Sequence, residues 1–124
     1  MENLSVAGLD RFIVIDETRI LECGGDHEFL QSLLYEFIEV YGDAPQRLRT
    51  FLADRESGKA LKMLHAIKGG SANIGLLQIA AVAGGLERVL KEERDFVSVD
   101  LVASFEVAIK NLCDYMLEKN SIVG

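Results

Sequence analysis

The chain has 124 residues, of which 49% are hydrophobic and 27% charged, and its formal net charge is −7. This length and composition predict one folded domain and exclude an intrinsically disordered chain. The net charge argues against binding to nucleic acid or to an anionic membrane, since both need clustered Lys and Arg, and no apolar run reaches the ~20 residues of a membrane span.

The N-terminus and the cysteines bear on cellular location. The first residues are acidic and contain no basic-then-apolar secretion signal. Cys23 and Cys113 form no C-x-x-C pair and no metal-ligand spacing. We interpret them as reduced, small side chains of the buried type and expect a cytoplasmic protein.

The first predicted structure after the leader at residues 1–15 is a short helix. One proline, no tryptophan and no alternating apolar pattern favour helices throughout the chain. Asp16 is the expected N-cap of a helix over 17–22, and Gly24 with Gly25 is expected to end it. Asp26 then caps the next helix.

The apolar positions of this next helix recur at alternating spacings of four and three residues, as on the buried side of a packed helix. They are Leu30, Leu34, Phe37, Tyr41, Ala44, Leu48 and Phe51. Because the register continues through Gly42 to Pro45, we expect one long helix over 27–54, kinked where Pro45 meets the carbonyl of Tyr41.

Three further amphipathic helices are predicted after Ser57. Their ranges are 57–73, ended by Gly75; 76–93, followed by a loop at 94–98; and 99–119. Short links between long helices make neighbours antiparallel. The fold class is therefore all-α, an antiparallel up-down four-helix bundle at 16–120 with a short extra N-terminal helix.

His65 is the residue that indicates function. At 100° per residue, the apolar positions of the 57–73 helix fall about 160° to 260° away from it, so His65 points away from the core. Lys68 lies three residues on, where its ammonium can reach a group attached to the imidazole. Gly69 lies four residues on, where a side chain would crowd the ring. Two consecutive helix glycines cost about 1 kcal/mol each relative to alanine, which suggests close approach by another molecule.

Glu87 is the expected partner of His65. Each residue lies eleven positions from Leu76 in antiparallel helices, so the two are level. A carboxylate that holds the Nδ1 proton leaves Nε2 unprotonated and outward, which is the nucleophilic tautomer. An ordinary boundary glutamate and an idle surface histidine remain open alternatives at this point.

The segment 64–75, Leu-His-Ala-Ile-Lys-Gly-Gly-Ser-Ala-Asn-Ile-Gly, followed by Leu86-Glu87, resembles the histidine-containing phosphotransfer (HPt) domain of bacterial phosphorelays. The resemblance extends over about 16–119. It implies a four-helix bundle with His65 as phosphoacceptor, Lys68 as the phosphoryl-stabilising lysine and Gly69 as the access glycine. Glu87 matches a histidine-orienting glutamate of the chemotaxis-kinase phosphotransfer domain, although other members have glutamine there.

The resemblance also implies partners and a reaction. The chain is expected to relay a phosphoryl group to or from the aspartate of a response-regulator receiver domain, and to work with a sensor or hybrid histidine kinase. It would be a monomeric carrier, not an enzyme, with no cofactor of its own, and Mg²⁺ would belong to the receiver. Leu61, Lys62 and Ala72 share the His65 face and are the expected docking residues, beside a positive patch of Lys59, Lys62 and Lys68.

Two alternatives remain from the sequence. The first is a helical interaction domain without phosphotransfer, in which His65 is idle. The second is the phosphotransfer module of a larger hybrid histidine kinase. The chain begins with Met1 and ends shortly after the last predicted helix, which favours a free-standing protein.

Overall fold

The computed structural model describes residues 6–93 and 99–123, and it is all-α within those ranges. The predicted loop at 94–98 lies outside them. A 3₁₀ helix at Val6–Arg11 precedes six α-helices. These are α1 (Thr18–Glu22), α2 (His27–Tyr41), α3 (Ala44–Ala53), α4 (Ser57–Asn73), α5 (Leu77–Glu93) and α6 (Val99–Val123). No helix of the described ranges is long and apolar enough to cross a membrane.

The helices form a bundle around one apolar core. The α5 helix packs along both α4 and α6, while α3 contacts α4 and α6, and α2 contacts α6. The predicted inner faces are confirmed. On α5, for example, Ile79, Val82, Ala83 and Leu86 are fully buried and Leu90 almost so. Periodicity identified these faces because a helix repeats every 3.6 residues.

The prediction of a single helix over 27–54 is wrong. Two helices, α2 and α3, are separated by Gly42 and Asp43. Asp43 has φ −97° and ψ 10°, outside the helical range, and Pro45 lies in the first turn of α3. There the N–H that proline lacks would have no intrahelical partner anyway, so Pro45 starts a helix instead of kinking one. Ala44 and Leu48 stay buried in phase with α2, which is why the apolar spacing concealed the break.

The predicted boundary signals are confirmed at Gly24 and Asp26, whereas α1 begins at Thr18 with Glu17 as its N-cap residue, one position later than expected. Asp16 Oδ1 accepts hydrogen bonds from the backbone N–H of Thr18 at 3.1 Å and from its hydroxyl at 2.5 Å. Gly24 has a φ of +90°, a conformation that favours glycine. The carboxylate of Asp26 accepts a hydrogen bond from the backbone N–H of Phe29 at 2.8 Å and caps α2.

The cysteines differ from expectation in one respect. Both are free thiols, but Cys23 is exposed at the end of α1 and only Cys113 is partly buried. Burial raises the pKa of the Cys113 thiol, as does the nearby charge of Asp114. Cys23 follows the last residue of a short helix, at a turn on the surface. Its side chain therefore has no core to pack against.

The described part of the predicted leader packs against the bundle. Leu9 and Ile15 belong to the core, and the buried Gln78 side chain donates to the carbonyl of Leu9 at 3.0 Å. The Oε1 atom of Gln78 in turn accepts a hydrogen bond from Asn111 at 2.8 Å. Gln78 therefore connects the N-terminal segment to α6, a role that the sequence pattern did not indicate.

Gly75 sets the turn between α4 and α5. Its φ is +82°, and its carbonyl accepts a hydrogen bond from the N–H of Asp16 at 2.7 Å. A Cβ at this position would overlap the backbone carbonyl oxygen of Asp16. The turn therefore needs glycine for two reasons, backbone conformation and close approach of the N-terminal segment.

Gly75→Ala should lower the free energy of unfolding by about 2 kcal/mol, because the positive φ and the overlap with Asp16 both oppose a side chain. Urea denaturation followed by circular dichroism measures this. Gly70→Ala is the matched control: it lies within α4, and its added Cβ meets nothing within 4 Å. That substitution should raise stability by up to about 1 kcal/mol. Equal effects of the two substitutions would contradict this account of the turn.

Candidate functional site

His65 lies near the middle of α4 on its solvent side. Its side chain is 75% exposed, whereas Leu64 and Ile67 on the opposite side of the helix are fully buried. On the inner face, the hydroxyl of Ser71 donates to the carbonyl of Ile67 at 2.5 Å, so this buried polar group is satisfied within the helix. The outward orientation predicted for His65 is confirmed.

Glu87 lies level with His65 on α5, and its Oε2 atom is 2.9 Å from Nδ1 of the imidazole. The glutamate side chain is only 6% exposed. With the carboxylate ionised, Nδ1–H donates to Oε2 and the lone pair of Nε2 points to solvent. The interaction predicted from the antiparallel geometry is present, and burial removes the alternative of an ordinary boundary glutamate.

Two lysines also approach the carboxylate of Glu87. The Nζ atom of Lys68 is 3.6 Å from Oε1, and that of Lys91 is 3.6 Å from Oε2. Lys68 was expected beside His65, but its ion pair with Glu87 was not. Lys91 was missed altogether. Its signal was the i, i+4 spacing from Glu87 on α5, which gained significance only once Glu87 was known to be buried.

The surroundings of Glu87 act on its pKa in opposite directions. Burial raises the pKa of the carboxyl, but the hydrogen bond from His65 and the positive charges of Lys91, His65 and Lys68 lower it. The net effect is a pKa below the ordinary value of 4.5. Glu87 is therefore a carboxylate at neutral pH, able to hold the Nδ1 proton of His65.

Lys68 crosses from α4 to α5 above a glycine. A Cβ at Gly84 would lie 3.5 Å from Cδ of Lys68 and 3.7 Å from its Cε. The small residue thus lets the aliphatic part of Lys68 lie close to α5. Next to it is a shallow depression of about 320 Å³, lined by Lys68, Gly84, Glu87, Arg88, Lys91 and Glu92.

Gly69 and Gly70 leave the surface beside His65 open. Both are exposed, and a Cβ built at either meets nothing within 4 Å. The expectation that any side chain at Gly69 would crowd the ring is therefore not met by the Cβ atom alone. A longer side chain at this position would be needed to crowd the imidazole. Glycine therefore matters here only if another molecule binds over His65.

The expected docking residues surround His65 unevenly. Lys62 is exposed, whereas Leu61 and Ala72 are partly buried. The carbonyl of Ala72 accepts a hydrogen bond from the Arg19 guanidinium at 3.1 Å, so α1 lies against the end of α4. Lys59 pairs with Glu56 at 2.7 Å, which neutralises part of the predicted positive patch.

Glu87→Gln should change the acid dependence of stability. Because the folded pKa of Glu87 is lowered, its ionised form stabilises the fold above about pH 4.5, and this contribution disappears as the pH falls through the folded pKa. We expect the substitution to cost about 1 kcal/mol at pH 7 and progressively less below pH 4.5. Urea denaturation at pH 7 and pH 3 measures the difference.

The matched control for that experiment is Glu92→Gln, which removes an exposed carboxylate from the same helix. It should leave the pH profile close to that of the unsubstituted protein. A constant difference between the Glu87→Gln variant and the parent protein from pH 7 to pH 3 would contradict the assigned role of the Glu87 charge.

Comparison with known proteins adds one finding. The family model described as Hpt domain matches residues 32–119, which is most of the chain. Searches of curated proteins and of solved structures returned no match. Members of the matched family are helical bundles that carry phosphoryl groups between the kinase and receiver components of two-component phosphorelays. The helical bundle described above agrees with that match, and the chain therefore belongs to the Hpt domain family.

Proposed function

We propose that His65 is the phosphoacceptor of this Hpt domain and exchanges its phosphoryl group with the aspartate of a response-regulator receiver domain. The observation that carries the proposal is the hydrogen bond between His65 Nδ1 and the buried Glu87 carboxylate. It directs the lone pair of Nε2 outward, on the exposed face of α4. The other histidine, His27, has no such carboxylate among its described hydrogen bonds and ion pairs and begins α2.

The transfer step needs no proton movement at His65. The lone pair of Nε2 attacks the phosphorus of the aspartyl phosphate, an N–P bond forms, and the P–O bond to the aspartyl carboxylate breaks. The released carboxylate takes the electron pair of that bond. Nδ1 keeps its proton, and the resulting positive charge on the phosphorylated imidazole ring is balanced by Glu87.

Lys68 supplies positive charge on the phosphoryl side. Phosphoryl transfer depends mainly on positioning and on neutralising the charge of the equatorial oxygens. Lys68 lies one turn beyond His65, and its Nζ forms only a 3.6 Å ion pair with Glu87, with half of the side chain exposed. The Lys68 side chain is long enough to turn toward the phosphoryl oxygens. In this proposal Mg²⁺ is held by the receiver, and the Hpt domain itself contributes no cofactor.

The surface around His65 suits a receiver docked over it. Gly69 and Gly70 give a flat approach, Leu61 and Ala72 offer small apolar areas, and Lys62 adds positive charge. The metal-binding end of a receiver is acidic, so complementary charge would steer the two proteins together although this chain is acidic overall. The kinase of the relay would act through such a receiver.

A phosphotransfer assay tests this function. Receiver domains phosphorylated with a radioactive label are incubated with the chain, and the label is expected to appear on the chain within minutes. The bond should be acid-labile and alkali-stable, as expected for phosphorus bonded to nitrogen. Failure of every receiver of the same proteome to label the chain would overturn the proposal and favour the interaction domain without phosphotransfer.

A further inference from the structure

Lys91 has a contact that the proposed transfer does not use. Its Nζ lies 3.6 Å from Glu87 Oε2, the same oxygen that is 2.9 Å from His65 Nδ1, while Lys68 holds Oε1. A carboxylate only 6% exposed thus has two ammonium groups and one imidazole around it. One cation would already balance its charge, so the second needs an explanation.

Lys68 is required at two places during the proposed transfer. In the free domain its ammonium pairs with Glu87, but the phosphoryl group on Nε2 brings roughly two negative charges to the opposite side of the imidazole. If Lys68 turns toward the incoming phosphoryl group while the imidazole is still neutral, Glu87 loses a cation. Leaving a buried carboxylate with too little compensation is costly, and this cost would hold Lys68 in place.

We infer that Lys91 is a positioning residue: it serves as the permanent counterion of Glu87 and thereby releases Lys68 for the phosphoryl group. This inference rests on the proposed function and extends it to α5. Lys91 lies one turn beyond Glu87 on that helix, whereas Lys68 lies on α4, one turn beyond His65. Lys91 is therefore placed to pair with Glu87, and Lys68 is placed to reach a phosphoryl group on His65.

The net charge of the site supports these separate roles of Lys68 and Lys91. With Lys68, Lys91, Glu87 and a neutral His65, the site carries a net charge of about +1. The phosphoryl group adds about −2 and the charged imidazole ring about +1, which brings the site to about 0. Without Lys91 those values become about 0 and −1. Lys91 therefore balances the Glu87 carboxylate when Lys68 turns to the phosphoryl group, without contacting that group.

Chemical phosphorylation with phosphoramidate tests the inference without a receiver. Lys91→Met should slow formation of phosphohistidine about two- to fivefold, the range expected for one partly exposed ion pair. Lys91→Arg should restore a rate close to that of the parent protein. Lys110→Met is the matched control, because Lys110 also forms an i, i+4 ion pair, with Asp114 on α6, away from His65.

A double variant separates action through Glu87 from a direct effect. Glutamine at position 87 can still accept the Nδ1–H bond but needs no counterion. Lys91→Met should therefore have little further effect in the Glu87→Gln background. An equal slowing in both backgrounds, or no slowing in either, would overturn the inference.

Two NMR measurements complete the test. Phosphorylation should shift the Nζ signal of Lys68 in the parent protein and shift it less in the Lys91→Met variant. Without any phosphorylation, Lys91→Met should raise the pKa of the Glu87 carboxyl, because a positive charge near it is lost. An unchanged Glu87 titration would refute the pairing itself. If phosphoramidate leaves His65 of the parent protein unmodified while that titration does move, the proposed phosphoacceptor fails and the Lys91–Glu87 pair stands.

Discussion

His65→Gln should abolish phosphorylation of the chain by any phosphorylated receiver, while the bundle remains folded. Glutamine has no nucleophilic nitrogen, and the side chain at this position is 75% exposed, so packing does not depend on the imidazole. We expect the label to fall by at least about 1,000-fold, since no nearby group replaces the nucleophile. Circular dichroism should show an unchanged helical spectrum.

The chain provides a matched control, because it contains only two histidines. His27→Gln removes the other, an exposed residue at the start of α2, and should leave labelling unchanged. Equal labelling of His65→Gln and the parent protein would show that another residue accepts the phosphoryl group. Loss of labelling in both variants would point to an indirect effect on folding or docking.

Gly69→Gln should separate access to His65 from stability. The position is exposed within α4, and a built Cβ meets nothing within 4 Å, so the domain accommodates a side chain. Because glycine is the poorer helix former, the melting temperature should stay the same or rise slightly. Transfer from a receiver should slow by roughly 10- to 100-fold, because a long side chain one turn from His65 displaces the docked partner from in-line geometry.

Gly69→Ala is the control at the same position. Its single methyl group gives the same or a greater gain in helix stability but reaches less far over the imidazole, so its effect on transfer should be smaller. Phosphorylation by phosphoramidate, a small donor, should be affected little by either substitution. If Gly69→Gln slows both donors equally, the glycine acts on His65 itself and not on docking of a receiver.

Periodicity and local signals predicted much of this fold. Gly24, Asp26 and Gly75 marked helix boundaries because caps and positive φ depend on residues close in sequence. The same local information failed at Gly42 and Asp43, where an unbroken apolar register hid the separation of α2 from α3. The spacing of apolar residues shows only which side of a helix is buried. One kinked helix and two separate helices in phase bury the same side, so the spacing cannot distinguish them.

The candidate site was likewise only partly predictable. The spacing of His65, Lys68 and Gly69 lies within a single helix, so their common face follows from 3.6 residues per turn. Glu87 was found because the short turn between two antiparallel helices allowed its height along α5 to be matched with that of His65 on α4. Lys91 was not found, since its role depends on how deeply Glu87 is buried. The contact of Gly84 with Lys68 was not found either, since it depends on the path of the Lys68 side chain.

The sequence by itself determined the helical class, the inner face of each helix and the outward position of His65, all of which follow from short-range spacing. Only the tertiary structure decided which charges meet. The packing of α4 against α5 buries the Glu87 carboxylate and brings His65, Lys68 and Lys91 around it. It also placed residues 6–15 on the bundle through Gln78. These contacts join residues distant in the chain, and their strength depends on burial, which arises only when the helices pack together.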